Sequence, residues 1–530
     1  MGRNARSRWM TSLTMAALIG WGGPALADQG VTQITPATPT TLPVYGVSAT
    51  NNSGETSQDQ PIGVIPQPTP AMPGLVTGVT LGEIYTNNLT LTPPGTSHQS
   101  DFITEIQPFL KSAFSSPRFK GLLDYSLQGF YYDKHHQDNQ VYQQLDAQGT
   151  FTLVPKHFFL DGTALYNQQV INQTAPVGSG TFFINNNLAN SATGMLSPYW
   201  VQDFGSAGTM NLRYSHGRVV YNTQGISGTS KTTLSGIPSI TSNGLQFSYL
   251  SPKGATLGWN IEYFNQRLEP DFGPGIQFGA ATLGTSLQVS GYTRLLADVG
   301  KENNFLPNGT VQKLGARFWD AGFEWANTLN DLTMLVGHRF FGRSYQFSWT
   351  HMAALLTTTL NYTEQPTDYN QQLLGQNPEA MVATPLAIPQ IPSLFERQIY
   401  ISKRASASAS YATARSVLTV TLYDELRTFI TLNNTQERVA TANLSWMFDI
   451  GVFTALTPTF GWQRYQFQNG QINYTTYEQL ALIHEFGPQN TGSVIVRNGA
   501  LTNAYNGTPA TPGPNGYRVN VIILQWTHLF

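Results

Sequence analysis

The chain has 530 residues and only 11% charged side chains, less than half the roughly 25% of ordinary globular proteins, yet its mean hydropathy is −0.20. Thr, Ser, Asn, Gln and Gly, with 24 Tyr and 29 Phe, replace the missing charge, a mixture that fits neither a helical membrane bundle nor a highly charged disordered chain. A formal net charge of −2 gives no footprint for nucleic acid, and the absence of Cys excludes disulfide frameworks, thiolate zinc sites and cysteine nucleophiles.

Arg3, Arg6 and Arg8 precede a short apolar stretch at 13–21, and Ala25-Leu26-Ala27 supplies a small-x-small site. This is the tripartite pattern of a signal peptide over residues 1–27, cleaved after Ala27. The apolar stretch falls well short of the roughly 20 residues a spanning helix needs. Removing it takes away three Arg and no acid, so the formal net charge moves from −2 to −5. Residues 28–73 are punctuated by Pro36, Pro39, Pro43, Pro61, Pro66, Pro68, Pro70 and Pro73 among Thr, Gln, Ser and Asn. Such a segment buries too little apolar surface to offset its ordering entropy, and reads as a disordered periplasmic linker.

Over residues 74–530 the apolar period is two. In 121–131, Leu123, Tyr125, Leu127, Gly129 and Tyr131 alternate with Asp124, Ser126 and Gln128. In 143–153, Leu145, Ala147, Phe151 and Leu153 oppose Gln144, Asp146 and Gln148. In 255–263, Trp259 and Ile261 oppose Asn260 and Glu262; in 317–325, Trp319, Phe323 and Trp325 oppose Asp320 and Glu324. Turn-like breaks at 115–117, 155–156, 204–207, 252–254, 327–330 and 413–415 are short, whereas those at 168–191, 223–242, 302–314, 366–396 and 505–516 are long. A soluble sandwich has no reason to sort its loops this way. Alternation plus sorted loops predicts a transmembrane antiparallel outer-membrane β-barrel of about 18–22 strands, with about 22 as the direct count. Ile522, Leu524, Trp526 and Phe530 share one face of the last strand, and Trp526 and Phe530 are expected to act as an assembly signal for the barrel-assembly machinery. His528 interrupts that apolar face.

Catalytic, cofactor and metal constellations are not legible. Tyr132-Asp133-Lys134-His135-His136 sets two His beside Asp, but adjacent residues on an extended chain point to opposite faces, a poor chelating geometry. His338-Arg339 and His484-Glu485 lack a nearby Ser that would complete a hydrolase set. A non-enzyme without cofactors is expected. The strand charges Asp320, Glu324, Arg339, Lys403, Arg404, Asp424, Arg427 and Arg464 mostly fall opposite the apolar faces. Asp320, Glu324, Arg339, Lys403 and Arg404 are therefore expected to line the lumen, since a lipid-facing cation at the midplane costs about 2–4 kcal/mol.

One central pattern is more specific. Phe318-Trp319-Asp320-Ala321-Gly322-Phe323-Glu324-Trp325 is followed by Gly337-His338-Arg339-Phe340-Phe341-Gly342-Arg343-Ser344-Tyr345. Segments 78–88 and 100–108 precede them, and 399–411, carrying Lys403-Arg404, follows. In order and spacing this resembles the PEP-CTERM-system-associated outer-membrane β-barrel family, linked to exopolysaccharide and protein-sorting loci. The resemblance implies an outer-membrane channel or accessory component of exopolysaccharide export or envelope sorting. The expected surroundings are outer-membrane lipid and lipopolysaccharide, with a polysaccharide or oligosaccharide as cargo. A general diffusion or uptake porin, with the 366–396 loop folded inward, and a structural or adhesive barrel with partner-binding loops are the alternatives.

Overall fold

The computed structural model describes residues 74–530 apart from 171–175, 177, 179, 185–187, 223–237, 253, 274, 309, 369–370, 372–373, 375–398, 431–434 and 506–515. The segments expected to be a signal peptide (1–27) and a linker (28–73), and most of the 366–396 loop, lie outside the described residues. The chain runs through β1 (Gly74–Thr86), β2 (Asp101–Ser115), β3 (Phe119–Tyr132), β4 (Gln140–Val154), β5 (Phe158–Val170), β6 (Leu188–Asp203), β7 (Thr209–Asn222) and β8 (Ile240–Leu250). It continues through β9 (Leu257–Pro270), β10 (Ile276–Gln288), β11 (Thr293–Glu302), β12 (Asn304–Asn308), β13 (Thr310–Leu314), β14 (Arg317–Ala326), β15 (Asn330–Arg339) and β16 (Gly342–Met352). The last strands are β17 (Leu356–Thr367), β18 (Tyr400–Ala412), β19 (Ser416–Phe429), β20 (Thr435–Gly451), β21 (Thr454–Gln466), β22 (Gln471–Gly487), β23 (Asn490–Tyr505) and β24 (Tyr517–Leu529).

Each wall strand pairs antiparallel with its neighbours, and β1 closes on β24 from Gly78 opposite Leu529 to Thr86 opposite Val521. Closure leaves no wall strand with an unpaired edge among the described residues, the condition for crossing a bilayer with strands. The short strands β12 and β13 form a hairpin between β11 and β14, inside the stretch 302–314 expected to be a plain loop. Without it the wall has 22 strands. The protein is an antiparallel β-barrel of the outer-membrane type. Turns at one end are short, such as 116–118 and 413–415, and the connections at the other include 87–100 and 368–399. The long-loop end is the extracellular end in barrels of this type.

Register makes the two faces explicit. In β18, Ser402, Arg404, Ser406, Ser408 and Ser410 share the inner face, while Ile401, Lys403, Ala405, Ala407 and Ala409 share the outer one. Cross-strand pairs carry the same division round the wall: Trp319 with Val299, Trp325 with Thr293, Trp259 with Thr285, and Trp526 with Leu81 all lie outside. All eight described Trp face outward. Trp200, Trp259, Trp325, Trp349, Trp446 and Trp526 gather near the short-turn end, and Trp319 and Trp462 near the other. Two aromatic levels bounding an exposed band of Leu283, Val299, Leu422 and Leu524 match the interfaces and hydrocarbon core of a bilayer. His528 is stacked on the Trp526 ring at 5.6 Å and meets the Phe530 ring edge-on at 5.2 Å, with Nδ1 3.0 Å from Asn490 Oδ1.

Because the chain has no Cys, single introduced cysteines can carry spin labels without background. Labels at Leu283 and Val299 should relax with oxygen, and labels at Gln148 and Thr163 with a water-soluble nickel chelate. The reverse pattern would refute the register, since a one-residue slip exchanges the faces.

Candidate functional site: the barrel interior

Where every strand alternates, the inner face sets what the barrel can pass, and here it is divided. Ala481, Ile495, Ile523, Ile84, Ile103 and Tyr132 stand directly opposite one another across β22, β23, β24, β1, β2 and β3. All six are buried, although they face the lumen. Their cover comes from two loops at the extracellular end. Leu89 and Leu91 of the β1–β2 loop and Phe182 and Phe183 of the β5–β6 loop pack into the same apolar cluster. The loops are tied to each other by Ile184 N–H donating to the Leu89 carbonyl at 3.1 Å, and to the wall by Tyr132 Oη donating to the Phe182 carbonyl at 2.7 Å. Gln140 adds a bond to the Thr181 carbonyl at 3.3 Å.

A third segment enters from the β17–β18 connection. Gln371 Nε2 donates to Gln266 Oε1 of β9 at 2.7 Å, and Leu374 lies against Gly217 of β7. These partners sit six and eight strands round the wall from β17, so the segment runs into the interior instead of standing above the rim. The described part of the loop expected to fold inward is therefore inside the barrel.

Many charges on the remaining inner face are held in buried clusters. Glu425 accepts bonds from Arg404 Nη2 at 3.1 Å and Ser402 Oγ at 2.5 Å on one oxygen, and from Arg427 Nη2 at 2.6 Å and Tyr423 Oη at 2.8 Å on the other. Arg427 also donates to Tyr465 Oη, which donates to Glu437 at 2.8 Å. On the other side of the entering segment, Arg339 bridges Glu302 at 2.8 Å and Asp320 at 2.9 Å, and its guanidinium lies 4.7 Å from the centre of the Phe318 ring. Gly337 stands opposite Asp320, and a Cβ there would collide with the carboxylate. Arg213 bridges Asp161 at 2.7 Å. Across β9, β10, β11, β14 and β15 the inner face carries Glu262, Asp298, Glu302, Asp320, Glu324 and Asp331 against Arg294 and Arg339. That sector is acidic.

Asp320, Glu324, Arg339 and Arg404 stand on the inner face, Glu324 3.8 Å from Arg294. Lys403 does not. It faces outward, opposite Glu364, with Nζ 3.2 Å from Glu364 Oε1. Consecutive strand residues point to opposite faces, so Arg404 inside requires Lys403 outside. The same parity puts Asp424 on the outer wall with Arg438, 2.7 Å away, and Arg464 there beside Gln466. His135 Nδ1 is 2.6 Å from Asp101 Oδ2, so this residue braces the β3–β4 connection against β2. No group of three or more potential metal ligands occurs among the described residues.

The apolar inner row escapes a reading that assigns each strand one greasy face. A signal is nevertheless present: Val521-Ile522-Ile523-Leu524 breaks the alternation, and a continuous apolar run marks a strand covered on both faces.

No protein-family model and no curated protein matches the chain. Among solved structures it is similar to the FrpB iron transporter from Neisseria meningitidis, at 12% identity, covering 86% of this chain and 81% of that one with a TM-score of 0.46. It is also similar to the siderophore receptor PirA from Pseudomonas aeruginosa, at 9% identity, 87% and 81% coverage and a TM-score of 0.41. An anion-selective porin from Comamonas acidovorans is matched at 9% identity over 87% of this chain and 100% of that one, with a TM-score of 0.30. The likeness is one of fold.

Proposed function

We propose that the protein is a non-catalytic channel of the bacterial outer membrane whose passage is constricted by its own inward-folded segments. The observation that carries this reading is the β17–β18 segment bonded through Gln371 to Gln266 inside the barrel. A purely structural or adhesive barrel would present its loops outward to partners. For the cargo we infer a polysaccharide or oligosaccharide. Gln128 and Gln144, partly exposed on the inner face, supply the neutral donors and acceptors that hydroxyl groups bind, and the family resemblance points to exopolysaccharide loci. The acidic inner sector favours the second reading, a general diffusion porin, which would then prefer cations.

Planar-bilayer recordings separate these. The saccharide reading expects a conductance that added neutral oligosaccharide blocks from one side. Cation-selective conductance without block would favour the porin. A folded protein that conducts neither before nor after excision of 369–393 would remove both.

A further inference from the structure

Several cations on the outer wall near the extracellular rim are neutralised there. Arg218 pairs with Asp271 at 3.1 Å, Arg267 with Glu269 at 2.8 Å and Arg438 with Asp424 at 2.7 Å. Lys301, Arg317 and Arg343 depart from that pattern as a group, and Arg518 of β24 does so singly. All three are exposed on the outer face, and none has an ion-pair partner among the described residues, where the neighbouring carboxylates Glu302 and Asp320 point inward to Arg339. Lys301 stands directly opposite Arg317 across β11 and β14, an arrangement of like charges that destabilises a sheet unless an anion offsets it.

Their height fits such an anion. Lys301 is the last residue but one of β11 and Arg317 begins β14 where the β12–β13 hairpin rises, and Arg343 follows the turn at 340–341. One step below, Trp319, His338 and Arg343 form a row across β14, β15 and β16, with Trp319 half exposed. Four adjacent strands bring the cations within about 15 Å of one another, at roughly 4.8 Å per strand. Cations above and level with an outward Trp, itself above an apolar band, stand at the headgroup level of the outer leaflet.

We propose that Lys301, Arg317 and Arg343, with Trp319 below the first two and in the row of the third, form a binding site for the phosphorylated sugar headgroup of lipopolysaccharide. The cations take the phosphates and the indole lies against the sugar and the start of the acyl chains. This site belongs to the outer wall and is independent of what the lumen passes.

The test uses the full chain, purified and folded in detergent, with bis-phosphorylated lipid A as the probe and native mass spectrometry as the readout. The K301Q/R317Q/R343Q variant should bind lipid A about a hundredfold more weakly, at roughly fivefold for each basic side chain held near an anionic headgroup. The R218Q/D271N variant, which removes a neutralised rim pair, should bind as the parent does. Dephosphorylated lipid A should bind the parent and the triple variant equally, and millimolar inorganic phosphate should leave the lipid in place. Heat-modifiable migration reports folding, and Arg343→Glu alone replaces the triple variant if that protein does not fold. Undiminished lipid A binding by the folded variant would overturn the site. Full displacement by inorganic phosphate would overturn the lipid as its occupant.

Discussion

Replacing Glu425 by Leu should destabilise the barrel by about 3–5 kcal/mol, because breaking a buried charge pair leaves its partners unpaired. Glu425 is fully buried and receives Arg404 and Arg427 on separate oxygens. Ser402 and Tyr423 each add a bond to one of its oxygens. Without it, two guanidinium groups remain inside the wall with Glu437 as the nearest acid, 4.0 Å from Arg427. Urea unfolding in lipid vesicles, followed by Trp fluorescence, measures the loss. The triple variant E425L/R404M/R427M should recover most of it, since replacing all the charges by apolar groups of similar volume avoids the desolvation cost. If Glu425→Leu unfolded within about 1 kcal/mol of the parent, the network would contribute no net stability and the account of the inner wall would fail.

The double replacement of Phe182 and Phe183 by Ser should open the interior. Each buried Phe contributes about 1.5–3 kcal/mol to keeping its loop docked. Losing two side chains therefore shifts the docked-to-released ratio by roughly two to four orders of magnitude. The Leu89–Ile184 backbone bond and the Tyr132–Phe182 bond cannot hold two loops once the apolar contact is gone, because each contributes only about 1 kcal/mol net. Single-channel conductance should rise severalfold, and the row from Ile84 to Ile523 should become accessible to an apolar fluorescent probe. Unchanged conductance would mean that the β17–β18 segment alone limits passage. A double excision that also removes 369–393 would then show the increase.

Much of the fold is legible because lipid and lumen impose opposite demands on successive residues. Trp259, Trp319, Phe323, Trp325 and Trp526 can be placed outside, and Gln128, Gln148, Glu262 and Glu324 inside, from parity alone. The long-and-short sorting of connections adds orientation. Lys403 is misplaced when charge type is allowed to outweigh register. Ser402-Lys403-Arg404-Ala405-Ser406 is followed by alternating Ala and Ser, so parity already separates the two cations.

Other features have no local signal. Leu89, Leu91, Phe182 and Phe183 sit in connections that read as polar loops, and only closure of the barrel brings both loops to the same inner wall. The pairing of Gln371 with Gln266 joins residues more than one hundred positions apart, and nothing near either predicts the other. The partners of Glu425 come from β18 and β19, and those of Arg339 from β11 and β14. Strand periodicity, charge scarcity and loop asymmetry belong to the sequence by itself, because each follows from one residue's relation to its near neighbours. Which faces the loops cover, which acids neutralise which arginines and which cations stay unpaired on the outer wall were decided by the tertiary structure, because those contacts exist only once the wall has curved round and closed.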